Sequence, residues 1–474
     1  MKQFLGIDIG TQGVRVVVLN QEGNTLAAGD QAFQFSGDLR IEQDPLHWWE
    51  ILDQLLIQVL NALGDKSKIH AIGVTSTSGT IIPIDWKGNP LHSAIMYSDQ
   101  RSAEQGYRCQ ALAKERETVG YTAFNSSSGL PKMIWFLENF PEKRHDLYKF
   151  IHASDFITGT LSGNFGVTDY TNVLKSGYNL HEEVWPSYIM DLGVHLAWLQ
   201  DVVPSGYPIG KILPAWAERY GLSPESLVTA GMTDGCVSQV ASGAVAPGEW
   251  NTTIGTTLVI KGVSTEEIKD LSGAIYNHRH PQGYWMPGGA SNTGADWVSH
   301  YFGGQNLKEL GEKAEALVPT GDVAWPLLQH GERFPFFSPQ ARGFMPEGKE
   351  DAYVFACGME GVAYIEKMAY DRIEELSGQK VNKVFSAGGG SNSDLWMKIR
   401  STVLQVPIQK MANTTGAAGA AILAASGTFY EDLPTAARKM IKVEKVIEPE
   451  TRWIEKYQEG YKRFLGELKS RNIC

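Results

Sequence analysis

The sequence predicts an α/β protein assembled from two similar halves, and three observations carry that expectation. Apolar, strand-like runs alternate along the chain with stretches of helical periodicity. The triplet Ile9-Gly10-Thr11 returns as Ile254-Gly255-Thr256, each time among apolar or β-branched neighbours. The 474 residues also exceed the roughly 250–300 at which a single core stops growing. A break at Ala246-Pro247-Gly248 divides the chain into residues 1–245 and 246–474.

The elements follow in order. Phe4 to Ile9 and Val14 to Leu19 read as strands around the turn Gly10-Thr11-Gln12-Gly13. Asp44-Pro45 is a cap and first-turn pair for a helix in which Trp48, Leu52, Leu55, Leu56, Val59 and Leu63 share one face. Ala71 to Val74 is a buried strand, and Thr80 to Ile84 with Leu91 to Met96 flank a hairpin turn at Trp86-Lys87-Gly88-Asn89. Leu227-Val228 leads through Ala230 to Gly235 into a small-residue helix, Val237 to Ala244. In the second half Leu258 to Ile260 returns from the repeated Gly-Thr turn, and Val384-Phe385 precedes a triple glycine and a helix carrying Leu395, Trp396, Ile399 and Leu404. Thr415 to Ala425, rich in Gly and Ala, suits a helix packed against backbone.

Charge and composition exclude several functions. Lys and Arg number 42 against 53 Asp and Glu, a net charge of −11 with no long basic block, so a nucleic-acid partner is not expected. No run of about 18 apolar residues and no apolar leader occurs, so the expected setting is the cytoplasm without a membrane contact. The four scattered cysteines have no metal or redox spacing and suit packing in a reducing compartment. His278-Arg279-His280, without a neighbouring Cys or carboxylate at ligand spacing, reads as a solvated loop. Fifty glycines, clustered beside apolar strands, suggest backbone brought close to a ligand.

Three constellations carry possible chemistry. Asp8 with Gly10, Thr11, Gln12 and Gly13 has the form of a turn whose N–H groups cradle phosphate beside a carboxylate that holds magnesium; an ordinary hairpin is the alternative. Asp234, at a strand-to-helix junction, suits either a base that accepts the proton of an attacking hydroxyl or a helix N-cap. Ser386-Ala387-Gly388-Gly389-Gly390-Ser391-Asn392 suits either backbone approach to a nucleotide or a tight crossing. Neither the dinucleotide fingerprint nor a Walker A sequence is present.

Six segments occur in one order: Gly6-Ile7-Asp8-Ile9-Gly10-Thr11, Ser98-Asp99-Gln100-Arg101, Pro131-Lys132-Met133-Ile134-Trp135, Gly231-Met232-Thr233-Asp234-Gly235, Gly255-Thr256-Thr257 and Ala387-Gly388-Gly389-Gly390. In that order they resemble the FGGY carbohydrate kinases over nearly the whole chain. The resemblance implies two ribonuclease-H-like domains of the actin and hexokinase superfamily, residues 1–245 for sugar, base and first phosphate hairpin and 246–474 for the second hairpin and adenosine, with ATP between them. It implies ATP and Mg2+ as cofactors, Asp234 as catalytic base, and Asp8 and Asp234 as metal-holding carboxylates. It further implies that Gly10, Thr11, Gln12, Gly13, Arg15, Gly255, Thr256 and Thr257 address phosphate, and that Gly389, Gly390, Ser393 and Trp396 border the nucleotide.

Departures from the family pattern bear on the sugar. Ser76-Thr77-Ser78-Gly79-Thr80 stands where bacterial xylulokinases resemble Gly-Gln-Met-His, so their sugar-contacting His is absent. With Ala153-Ser154-Asp155-Phe156, the stretch from Thr168 to Tyr178 and Ser291-Asn292-Thr293-Gly294, this turn looks more like the plant and cyanobacterial sugar kinases associated with D-ribulose. The expected reaction is ATP-dependent phosphorylation of the terminal primary hydroxyl of a ketopentose, D-ribulose first and D-xylulose as alternative, with Ser78, Thr80, Asp99 and Asp234 as substrate contacts. A nucleotide-dependent sugar-binding protein without turnover is the reading from another class. The expected partner is a small-molecule sugar, and the expected assembly a monomer or homodimer. Thr415 stands where many relatives carry Glu.

Overall fold

A computed structural model describes residues 1–34, 40–117 and 119–474. Two compact units are present, one of 1–241, 278–283 and 413–441 and the other of 242–277, 284–412 and 442–474.

The first unit is built on a mixed sheet. Its strands run in the order Pro208–Lys211, Leu227–Thr229, Ile69–Ser76, Gln3–Ile9, Gly13–Asn20 and Thr25–Ala32, and Met232–Thr233 extends the pairing of Ile69–Ser76. The expected opening meander is antiparallel, closing on Ile9 opposite Val14, and Gln3–Ile9 runs parallel to Ile69–Ser76. On one face lies the helix Pro45–Asn61, whose start is capped by Asp44 accepting the Leu46 N–H at 2.9 Å. It buries Trp48, Leu52, Leu55, Leu56 and Val59 against the strands, as their spacing predicts, and Leu60 as well, whereas Leu63 falls beyond the helix end and is half-buried. The hairpin around Trp86 is also present: Ile81 pairs with Ile95, and Asp85 accepts the Lys87 and Asn89 N–H groups at 2.8 Å.

The other face is covered by Gly416–Thr428, a helix whose residues from Ala417 to Ser426 are all buried. Two strand glycines admit it. A β-carbon at residue 6 would stand 1.8 Å from the Ala417 carbonyl oxygen, and one at residue 73 would stand 2.2 Å from that of Ala420. Gly419 in turn lies against Val237, where a β-carbon would be 2.5 Å from its carbonyl oxygen. The expectation of a helix packed on backbone is therefore met, and its supports are the strand of Asp8 and the helix of Asp234.

The second unit repeats the hairpin. Trp285–Ser291, Leu258–Gly262, Glu249–Ile254, Lys383–Ala387, Ile408–Met411 and Val443–Ile447 lie side by side in that order. Ile254 pairs with Leu258 as Ile9 pairs with Val14. The helices Asp351–Ser377 and Asp394–Leu404 are tied by the fully buried pair Arg400 and Glu366, with guanidinium-to-carboxylate distances of 2.6 and 2.8 Å. Arg400 also donates to Ser386 at 2.7 Å, so the ion pair is anchored to the strand leading into the triple glycine.

One expectation needs correction. His278-Arg279-His280 is not a solvated loop: His280 has no exposed surface and His278 is buried, on a segment that begins inside the strand Tyr276–Arg279. Among the described residues no helix is long and apolar enough to cross a membrane. Cys109, Cys236 and Cys357 are buried, whereas Cys474 is exposed.

The helix-on-glycine contact predicts that Gly6→Ala destabilises the protein by about 3 kcal/mol, since backbone on both sides must move. Gly64→Ala, at a position with nothing within 4 Å of an added β-carbon, serves as control and should shift stability by less than about 1 kcal/mol. Denaturant unfolding of both variants checks this; equal stability would show that the contact yields freely.

Candidate active site

The parallel strands of the first unit bring three of the expected residues to one edge. Asp8 pairs with Thr75 and Ile9 with Ser76, while Met232 and Thr233 pair with the same Thr75 and Ser76. Asp8, the Ser78 turn and Asp234 therefore sit at or just beyond the carboxyl ends of neighbouring strands, where open α/β sheets bind ligands.

The Thr11, Gln12 and Gly13 carbonyls of the first turn are engaged within the protein. The Gly10 N–H bonds the Gly13 carbonyl at 2.9 Å, the Thr11 carbonyl accepts from Gln43 Nε2 at 3.0 Å, and the Gln12 carbonyl accepts from the Phe33 N–H at 2.9 Å. Gln43 is itself held by the Trp48 indole N–H at 2.8 Å. With the carbonyls turned back, the Thr11 and Gln12 N–H groups have no acceptor among the described residues. Gly13 is required for this closeness, because a β-carbon there would lie 2.5 Å from the Gln31 carbonyl oxygen. The turn lines a cavity of about 880 Å³ together with Asp8, Arg15, Arg40 and Tyr97.

Asp8 faces Arg15 across the hairpin at 4.0 Å and retains 19% exposure. Burial, reinforced by the negative charge of Asp234 and opposed by Arg15, pushes its carboxyl up to about 6. Gly416, first residue of the buried helix, makes room for it: a β-carbon there would be 2.6 Å from Asp8 Oδ2. Thr415 is that helix's N-cap, accepting the Ala418 N–H at 3.3 Å. Asp234 opens the helix Asp234–Ser242, is exposed, and its Oδ1 accepts the Gly235 N–H at 2.6 Å. Asp234 thus stands as the first residue of its helix, and its negative charge bears on that of Asp8.

The three sugar candidates besides Asp234 differ. Ser78 Oγ is buried and has no hydrogen-bond partner among the described residues, leaving a donor and acceptor for a ligand. Thr80 is engaged with Thr77 at 2.9 Å and with the Tyr97 N–H at 3.3 Å. Asp99 is buried and accepts from the Arg101 backbone at 2.8 Å and from its guanidinium at 2.6 to 3.1 Å. Arg101 is shared with Glu42 at 2.6 Å and lies 4.3 Å from the Trp135 ring centroid. Behind Asp99, Lys132 is fully buried and donates to the Ser126 and Ser128 carbonyls. Burial pushes the Lys132 ammonium down to about 7, with Asp99 opposing and Lys175 adding to the shift. Its signal in the sequence is a lone cation in the apolar run from Leu130 to Leu137.

The second unit holds the other candidates. The Gly255 N–H bonds the Thr257 carbonyl at 3.0 Å, and Gly255 accepts from the Ala295 N–H at 2.7 Å. Gly294 presses on this turn, since a β-carbon there would be 2.3 Å from the Thr256 carbonyl oxygen. The buried carboxylate of Glu332 fixes the pressing segment, accepting from Ser291 Oγ, the Asn292 N–H and Thr293 Oγ1 at 2.7 to 2.9 Å. Nothing local in the sequence Gly331-Glu332-Arg333 signals this role. Gly389 has open space around it, Gly390 packs on Ile254, and Ser393 caps the next helix through the Trp396 N–H at 3.2 Å. Trp396 is a core residue: its indole donates to the Met359 carbonyl at 3.1 Å and its ring lies 6.0 Å from that of Trp297.

Comparison with known proteins agrees with this architecture. The N-terminal domain of the FGGY family of carbohydrate kinases matches residues 3–241, and the C-terminal domain matches residues 250–428. Xylulose kinase of Bacillus subtilis (strain 168) is 24% identical over 501 aligned residues, covering 100% of this chain and 99% of its own. Xylulose kinase of Escherichia coli (strain K12) is 26% identical and covers 89% of each chain. The crystal structure of a xylulose kinase from Brucella ovis superposes with a TM-score of 0.88 at 22% identity, covering 99% of both chains. With both domains matched in order across its length, the chain belongs to the FGGY family of carbohydrate kinases.

Proposed function

We propose that the protein transfers the γ-phosphoryl group of ATP to the terminal primary hydroxyl of a ketopentose, with D-ribulose giving D-ribulose 5-phosphate. The observation that carries this reading is the pair of mutually repelling carboxylates, Asp8 and Asp234, at the ends of two strands that flank Ile69–Ser76, beside a turn whose Thr11 and Gln12 N–H groups have no acceptor among the described residues. Asp234 accepts the proton of the sugar hydroxyl, whose oxygen forms the new bond to phosphorus while the bond to the bridging oxygen breaks and ADP leaves. The Thr11 and Gln12 N–H groups hold phosphate oxygens, and Arg15 adds positive charge from the same hairpin. In the second unit Gly255, Thr256 and Thr257 contact phosphate, and Gly389, Gly390 and Ser393 border adenosine.

The donor set suits magnesium. Asp8 and Asp234 offer hard carboxylate oxygens, and the described residues include no group of three or more metal-ligating side chains. Magnesium characteristically takes one or two carboxylates and completes its shell with water and phosphate. When bound, it supplies charge neutralisation on the polyphosphate. Asp8 must be ionised to hold it, and a cation there relieves the repulsion that raises this carboxyl.

Ser78 supports the choice of sugar. Its unpartnered hydroxyl occupies the turn that in xylulokinase-like sequences carries a histidine, so hydroxyl-to-hydroxyl pairing replaces imidazole recognition. D-xylulose is the second reading, favoured by the names of the relatives above.

ADP release with ATP and magnesium against D-ribulose, D-xylulose, L-ribulose, ribitol, glycerol and no sugar tests the proposal. One ketopentose should stimulate release strongly, and Asp234→Asn should lower that rate by roughly 10²–10⁴-fold; sugar-independent release, or full rate in the variant, would contradict it. Ser78→Ala should lower kcat/KM for the preferred ketopentose by about 10-fold or more while changing its rank against the epimer. An unaltered preference would remove Ser78 from the sugar site.

The carboxyl of Asp8 makes a further prediction for magnesium-free protein. Its folded value of about 6 lies above the ordinary 3.8, so the native state binds more protons than the unfolded chain in that window. Stability therefore falls as pH rises from about 4 to about 6. Asp8→Asn should abolish that slope and be more stable than wild type at pH 8 by up to about 3 kcal/mol. Parallel denaturation curves at pH 5 and pH 8 check the sign.

A further inference from the structure

Behind Asp234 lies a buried polar chain that the phosphoryl-transfer reading does not use. Asp169 ends the strand Val167–Asp169 and is fully buried. Its Oδ2 accepts from the Thr171 N–H at 2.8 Å, from Thr171 Oγ1 at 2.7 Å and from Ser205 Oγ at 2.6 Å, and its Oδ1 accepts from Asn172 Nδ2. Helix capping alone would need only the Thr171 N–H. The hydroxyl does something more: its single proton is committed to Asp169, so its lone pairs are available as acceptors, and it accepts the Thr233 N–H at 2.8 Å.

Thr233 is the residue immediately before Asp234, on a strand only two residues long. Such a short strand is weakly held by its own ladder. Its other residue is fixed from the neighbouring strand, where Thr75 Oγ1 donates to the Met232 carbonyl at 2.7 Å. Just ahead, Gly231 packs on Ser154, whose hydroxyl accepts from Asn172 Nδ2 at 3.0 Å. The backbone entering Asp234 is thus held by Thr75 from the neighbouring strand and by Thr171, whose hydroxyl is oriented by the Asp169 carboxylate.

We infer that Asp169 is a positioning residue for Asp234, setting the direction of the Thr171 hydroxyl that fixes the Thr233 amide. The inference rests on the reading of Asp234 as the base. A displacement of the order of 1 Å at a reacting group can cost about 10²-fold in rate, which is the scale on which this support acts.

The test compares Thr171→Val, Thr171→Ser, Asp234→Asn and the double variant Thr171→Val/Asp234→Asn with wild type, using the ketopentose that best stimulates ADP release. Thr171→Val should lower kcat by roughly 10–100-fold with sugar KM changed less than about threefold, and Thr171→Ser, which keeps the hydroxyl, should restore it. The double variant should be no slower than Asp234→Asn alone, because the support has lost the group it serves. Wild-type kcat in folded Thr171→Val, or a double variant showing the product of both losses, would overturn the inference. Full activity in Asp234→Asn would instead overturn the reading of the base. If Thr171→Val does not fold, Ser205→Ala removes one donor from the same carboxylate and leaves Thr171 intact. Its kcat should fall by roughly 3–10-fold at unchanged KM, and an unchanged kcat would again overturn the inference.

Discussion

The carbonyl oxygens of Ala417 and Ala420 occupy the space that β-carbons at residues 6 and 73 would need. That contact lets the helix Gly416–Thr428 lie directly on the backbone of two central strands, and much of the first unit's functional geometry follows from it. The helix start reaches Asp8, where Gly416 leaves room for a carboxylate, and its middle supports Val237 in the helix that Asp234 begins. Bulk at any of these glycines would separate elements whose spacing determines how strongly the two acids interact. Small residues here have a positional purpose: they set distances that larger side chains would have to interdigitate to achieve.

Electrostatics then makes use of that spacing. Burial and Asp234 together raise the Asp8 carboxyl, so the two carboxylates carry unfavourable negative charge of the kind a cation relieves. The carbonyls of Gly13, Thr11 and Gln12 already accept from Gly10, Gln43 and Phe33, so under the proposed reading the turn needs no rearrangement to meet an anion. Preorganisation of this kind places most of the work in folding, leaving little to be reoriented during transfer. The second unit applies the same device with different residues, using the buried Glu332 to hold the segment that presses on Gly255 and Thr256.

Much of this was legible in the sequence because it depends on local chemistry. The Asp44-Pro45 start, the periodic face from Trp48 to Val59, the Asp85 turn and the repeated Gly-Thr hairpin are each specified by neighbours within a few residues. Long-range partnerships were not legible. Nothing near Gln43 indicates that its amide holds Thr11, and nothing near Asp169 indicates that its hydrogen bonds extend through Thr171 to Thr233. The His278-Arg279-His280 segment was misread for the same reason, since polarity suggested solvent whereas tertiary packing buries both rings. Asp99 and Thr80 showed the right residue types for sugar contact, but only the fold reveals that both are already engaged while the buried Ser78 hydroxyl has no partner among the described residues.

Identification of the product tests most directly whether the phosphoryl group passes to the oxygen of a terminal sugar hydroxyl. Incubation of wild-type protein with ATP, magnesium and carbon-13-labelled D-ribulose, followed by phosphorus and carbon NMR, should show one phosphate monoester coupled to C5. Free inorganic phosphate as the only phosphorus product besides ADP would contradict the account, because the two carboxylates would then serve ATP hydrolysis and not a sugar hydroxyl.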